Sequence, residues 1–147
     1  VNGEYKDPNG RFKVGILQDF TISPLAGSVL FESRDGNLAY TVLALPQAKL
    51  GVVGGTIPND ALIKIAQNAF KQGEGFATGE AKAITGGLQI DWVGNLTIAG
   101  TTQNVGGVIL ARPANDNVLL VLIAATEAGG DRVLGAASAL ANSFQAL

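Results

Sequence analysis

At 147 residues, 47% of them hydrophobic and 15% charged, the chain is long enough to bury one core without staples and too apolar to stay disordered. Its formal net charge is −2, and its ten Lys and Arg are scattered singly from Lys6 to Arg132, which excludes a basic nucleic-acid stripe and a polybasic lipid-binding segment. It has no histidine and no cysteine, so the usual acid–base switch near neutral pH, the commonest metal ligand, the thiolate nucleophile and every disulfide are missing.

A single domain over 1–147 is the natural reading at this length. The longest apolar run, Val118 to Ala125, falls far short of the roughly 20 residues a spanning helix needs, so no transmembrane segment is expected. The chain opens Val1-Asn2-Gly3 with neither a methionine nor an apolar leader, as a processed exported form or a trimmed cytosolic one does.

In chain order, Asp7-Pro8-Asn9-Gly10 is a turn, because Pro presets φ and Gly tolerates positive φ. Arg11 to Leu17 reads as a strand with Phe12 and Val14 on one face. Val29 to Ser33 and Leu38 to Leu45 are two more strands, joined by the Asp35-Gly36 turn. Pro46 to Thr56 is a loop. Pro58 to Gln72 is a helix, since Leu62, Ile65, Ala66, Ala69 and Phe70 make one apolar stripe. Gly73 to Gly79 reads as a second loop.

The second half is a run of strands. Glu80 to Thr85 leads to a Gly86-Gly87 turn. Leu88, Ile90, Trp92, Leu96 and Ile98 keep one parity, with a bend or bulge expected at Gly94-Asn95. Ala99 to Gln103 is the next turn. Val105 to Arg112 and Asn117 to Thr126 form a hairpin. Val118 to Ile123 does not alternate, so it reads as a central strand covered on both faces. Asp131 caps a last helix whose stripe is Val133, Ala137, Leu140, Phe144 and Leu147. The pattern is an α+β fold, with a helix on each face of a mostly antiparallel sheet.

Candidate chemistry is sparse. Most acids sit in turns or caps, and Asp19, Glu32 and Asp91 are the three left for a carboxylate-based hydrolase. Asp35-Gly36-Asn37 and Asn115-Asp116-Asn117 lack the spaced ligands of a calcium loop and read as Asx-turns. Gly54-Gly55-Thr56 lacks the Gly-Lys-Ser/Thr of a phosphate loop, and Gly73-x-Gly75-x-x-x-Gly79 has the wrong spacing for a dinucleotide fingerprint. No serine has a helical Ser-x-x-Lys arrangement. Neither a cofactor nor a metal is expected from these residues.

The run Tyr5-Lys6-Asp7-Pro8-Asn9-Gly10-Arg11-Phe12-Lys13-Val14 resembles the opening of PsbP-family proteins, with Phe20 as the aromatic after the next loop. The far end agrees. Val118 to Thr126, Glu127, then a helix closing Ala141-Asn142-Ser143-Phe144 resembles that family's terminal strand and helix. The chain departs from the family where a Pro-x-Gly-Trp would sit, reading Leu17-Gln18-Asp19-Phe20, and it lacks the histidines with which some members hold metal.

The resemblance implies an α/β/α sandwich around an antiparallel sheet. It implies a non-catalytic accessory protein of the thylakoid lumen or periplasmic side, peripheral to the membrane. Such a protein binds or helps assemble a photosynthetic complex such as photosystem II. Lys13, Arg34, Lys49, Lys71 and Lys82 would then be contacts to an acidic lumenal surface. The competing expectation is an envelope domain holding a small apolar or lipid-like ligand between a helix and the sheet, for which the Pro46–Gly55 and Gly73–Gly79 loops leave room.

Overall fold

The computed structural model describes residues 3–7, 10, 12–25, 28–46, 63–65, 74–84, 87–98, 100–114 and 117–146. Seven antiparallel strands form the main sheet: β3 (Thr21–Leu25), β4 (Ser28–Glu32), β5 (Leu38–Pro46), β6 (Glu74–Ile84), β7 (Gly87–Ile98), β8 (Thr101–Ala114) and β9 (Asn117–Thr126). Their spatial order is β3-β4-β5-β9-β8-β7-β6. A small sheet has the order β1-β2-β10, from β1 (Glu4–Lys6), β2 (Phe12–Gly15) and β10 (Gln145–Ala146). One 3₁₀ turn (Glu127–Arg132) leads into helix α1 (Val133–Ser143).

Strand β9 lies between β5 and β8, which explains its unbroken apolar run. Leu119, Val121, Ile123 and Ala125 enter a core with Phe31, Tyr40 and Val42 on the face that α1 covers. Val118 and Leu120 enter a second core with Ile90, Trp92 and Ile109 on the other face. Residues 63–65, helical and inside the expected helix, pack Ile63 and Ile65 against that second core. The remainder of that helix, most of the Pro46–Thr56 loop, and Lys49 and Lys71 lie outside the described residues.

Trp92 crosses from β7 over β8 and donates its indole N–H to the Ile123 carbonyl on β9 at 3.0 Å. It can do so because Gly107 stands between them. A Cβ on Gly107 would meet the Ile123 oxygen at 1.9 Å and the indole nitrogen at 3.4 Å.

The two motif ends meet. Phe12 pairs with Ala146 and Lys13 with Gln145. The Ser143 hydroxyl accepts from the Gly15 N–H at 3.0 Å and donates to the Ala139 carbonyl at 3.0 Å. The buried Tyr40 hydroxyl donates to the Gly15 carbonyl at 2.8 Å and accepts from the Leu17 N–H at 3.2 Å. Desolvation pushes its pKa up to about 12.

Four expectations change. The expected Gly73–Gly79 loop is strand from Glu74 onward, where β6 begins and forms a sheet edge. The irregularities lie on β6, between Glu74 and Ala77 and between Thr78 and Ala81, whereas β7 pairs with β8 without a break through Gly94 and Asn95. The Ala99–Gln103 turn is shorter, because β8 already starts at Thr101. Asp131 does not cap the last helix. It sits inside the 3₁₀ turn, and Arg132 is the N-cap with no side-chain bond. Strands β1 and β3 are short edge elements that no apolar alternation marks.

Candidate functional site

Helix α1 packs on β2, β8 and β9. An open groove runs along its flank over β7 and β8. Register pairs set the rows of its floor: Val93 opposite Gly106, Asp91 opposite Val108, then Gln89 opposite Leu110. One stretch, of about 420 Å³, is lined by Val93, Gly106, Val108, Ala125, Val133 and Leu134, with Asp91, Asn104 and Thr126 on its margins. A second stretch, of about 360 Å³, is lined by Ile84, Gln89, Arg112, Ser138, Ala141 and Asn142. Leu134 borders both.

The groove differs from an ordinary solvated surface in two ways. Val93 is 61% exposed and Leu134 is 72% exposed, and the two large apolar side chains border one groove. Helix α1, whose outer face borders the groove, carries no charged residue from Val133 to Ser143.

Arg112 is the cation of the second stretch. Its Nη1 donates to the Phe144 carbonyl, and its Nη2 donates to the Ala141 carbonyl at 3.2 Å. The guanidinium carbon lies 5.6 Å from the Phe144 ring centroid. Arg112 thus closes the C-terminal end of α1, where free carbonyls and the helix dipole favour a positive charge. Burial holds its pKa below the usual arginine value.

Of the lysines and arginine expected to contact a partner, Lys13, Arg34 and Lys82 lie among the described residues, on separate elements. Lys13 lies on β2, 3.5 Å from the Glu4 carboxylate. Arg34 is exposed at the β4–β5 turn. Lys82 is exposed on edge strand β6, opposite Gln89 at the cationic end of the groove. Arg34 and Lys82 belong to regions five strand positions apart, on the order of 24 Å across a sheet. Arg112 was missed because an arginine on a strand carries no local signal; only the fold reveals that it lies under a helix end.

Glu32 and Asp91 do not form a carboxylate pair. Glu32 is on β4 and Asp91 on β7, four strand steps or roughly 19 Å apart. Paired carboxylates at a glycosidic bond need at most about 9.5 Å. Asp19 sits in a turn with φ of 65°, a left-handed conformation that Asp tolerates. Among the described residues, no three acidic side chains gather to hold a metal ion. Nor is any helix there long and apolar enough to cross a membrane.

Fold and groove define a class: an α+β domain with a mostly antiparallel sheet and an open, partly apolar groove beside its C-terminal helix. No family model matches the chain, and no curated protein sequence matches it. Solved structures do. The solution structure of the cyanobacterial PsbP protein CyanoP from Synechocystis is similar at a TM-score of 0.58 and 12% identity, over 99% of this chain and 92% of that one. LpqN, involved in cell envelope biogenesis of Mycobacterium tuberculosis, is similar at 0.51 and 15% identity, over 98% of this chain and 90% of LpqN. A Bacteroides thetaiotaomicron protein is similar at 0.58 and 11% identity, and there this chain spans 48% of the other's length. At these identities the likeness is one of fold.

Proposed function

We propose that this chain is a non-catalytic accessory domain, peripheral to a membrane, whose working part is the groove beside α1, where it holds an apolar, lipid-like group. The observation that carries this reading is the exposure of Val93 and Leu134 along one groove under a charge-free helix. Covering each of these side chains would contribute about 1–2 kcal/mol, enough for a ligand and too little for an unaided permanent interface. The distance of Glu32 from Asp91 supports the non-catalytic part.

The test is a titration with dodecyl maltoside below its micellar concentration, followed in amide NMR spectra. Shifts should centre on Val93, Val108 and Leu134, and Leu134→Lys should abolish them. Shifts spread evenly over the surface, or none, would overturn the reading.

A second reading concerns the setting. The Gly10-Arg11-Phe12 start and Ser143-Phe144 finish belong to segments that close one small sheet, in a fold similar to that of CyanoP. This supports a PsbP-like protein with α/β/α layering in the thylakoid lumen or periplasm, docking on a photosynthetic complex such as photosystem II. Affinity capture from thylakoids should recover a photosystem subunit, and recovery of none would count against it. The fold likeness to LpqN supports a bacterial envelope as the alternative setting.

A further inference from the structure

The main sheet ends in two unlike edges. One is β3, where Pro24 has no N–H to offer a neighbouring strand. The other is β6, whose stretch from Gly79 to Ala83 carries no proline and is exposed throughout. Its outer side has no strand partner among the described residues. Such an edge is a template for another strand.

The side chains of that stretch narrow the choice of strand. Lys82 stands opposite Gln89, in the row of Leu110 on the α1 face of the sheet. Glu80, two positions earlier, alternates onto the same face. Ala81 and Ala83 stand opposite Ile90 and Leu88, on the face of the second core. Among the described residues neither Glu80 nor Lys82 is paired within the chain. The order Glu80-Ala81-Lys82 is its own complement when the strand runs antiparallel to itself.

We propose that β6 is the joint of a weak symmetric dimer, in which it pairs antiparallel with β6 of a second copy about a two-fold axis at Ala81. Glu80 of each copy then stands opposite Lys82 of the other. Ala81 meets Ala81 and Gly79 meets Ala83, so the remaining pairs are all small. Opposite charges at directly facing positions stabilise a strand pair, and like charges there oppose it.

The charges also fix the register. An axis at Glu80 sets carboxylate against carboxylate, an axis at Lys82 sets ammonium against ammonium, and parallel pairing can set both like pairs together. A shift of one residue faces each charge with a small residue and turns the two strands to opposite faces. A lysine and a bulge ordinarily keep sheet edges apart. Here the lysine repels strands that bring no carboxylate, and a second copy brings one. The bulge between Thr78 and Ala81 adds twist and keeps the contact short. With about five residues a side, against the 20 to 30 of a standard interface, the dimer forms only at high concentration.

The two-fold axis runs normal to the sheet, so both α1 faces lie on one side. Strand β7 and its copy are three strand steps apart, roughly 14 Å, and the two grooves open side by side. The joint does not depend on what the groove holds.

Sedimentation velocity and NMR diffusion, run from about 10 μM to about 1 mM, should show reversible dimer growth that weakens as salt rises. Exchange of the Gly79–Ala83 amides should slow over the same range. Lys82→Glu and Glu80→Lys, each checked for folding by thermal unfolding, should each weaken self-association at least about tenfold. Mixed one to one, the two variants should associate with each other, because every facing pair is again of opposite charge. A wild type that stays single up to 1 mM would overturn the dimer. Undiminished self-association in both variants, or a mixture that fails to associate, would overturn the pairing about Ala81.

Discussion

At the scale of single residues, Asp35 shows how a turn acid serves structure. Its carboxylate accepts from the Ser33 hydroxyl at 2.6 Å and from the Asn37 N–H at 3.1 Å, and it pairs with Arg132 at 2.8 Å. The Ser33 bond is the largest of the effects that lower its pKa to about 2. A carboxylate lowered on folding stabilises the fold above its unfolded pKa near 3.8 and loses that contribution as pH falls toward 2. Wild type should therefore exceed Asp35→Asn in melting temperature near neutral pH. The difference should shrink as the two are compared from about pH 5 down to about pH 2. A difference that stays constant with pH would assign the effect to shape and not to charge. The link reaches beyond the turn, since Arg132 ends the 3₁₀ turn that leads into α1. Beside it the Asn37 carbonyl accepts from the Thr126 N–H at 3.0 Å, and a Cβ on Gly129 would come within 2.2 Å of that carbonyl.

Between elements, the joint of α1 with the small sheet depends on Ser143. Its hydroxyl satisfies the N–H of buried Gly15 across 128 positions of sequence. Ser143→Ala leaves that donor without this acceptor, so unfolding free energy should fall by about 1–2 kcal/mol, measured by urea denaturation. Ser143→Thr, which keeps a hydroxyl, should lose less. No loss in the alanine variant would mean that Gly15 finds another acceptor.

The elements that could be read from the sequence are those whose signal is local. Leu38 to Leu45 alternates, and its Leu38, Tyr40, Val42 and Ala44 all enter the core. Val118 to Ile123 does not alternate, and it is the strand buried on both sides. Gly73 to Gly79 misled because its glycines signal a turn, whereas Gly75 and Gly79 lie in a bulged edge strand. The groove is still less legible. Its floor is assembled from β7, β8 and β9, and its cation is one arginine among several. No spacing rule reports that Arg112 will lie beneath the end of a helix beginning 21 positions later.

Across the whole molecule, stability should be graded from the centre of the sheet to its edges. Strand β9 is paired on both sides, and Val118 to Val121 are fully buried. The edges are weaker by construction. Strand β3 carries Pro24, which has no N–H to pair, and β6 is interrupted by two register shifts. Amide hydrogen exchange should therefore find Leu119 to Ile123 opening only with global unfolding. Gly79 to Ala83 should exchange at least about a hundredfold faster. The groove falls on the boundary between these regimes. Most of its floor is the β7–β8 pair, which keeps register without a break from Leu88 to Ile98. Its outer margin is β6, where Lys82 stands. A ligand held in the groove should then slow exchange in β6 and leave β9 unchanged. If β6 were already as protected as β9 in the free protein, its edge would have to be covered in solution, and the groove would be narrower than the single chain shows.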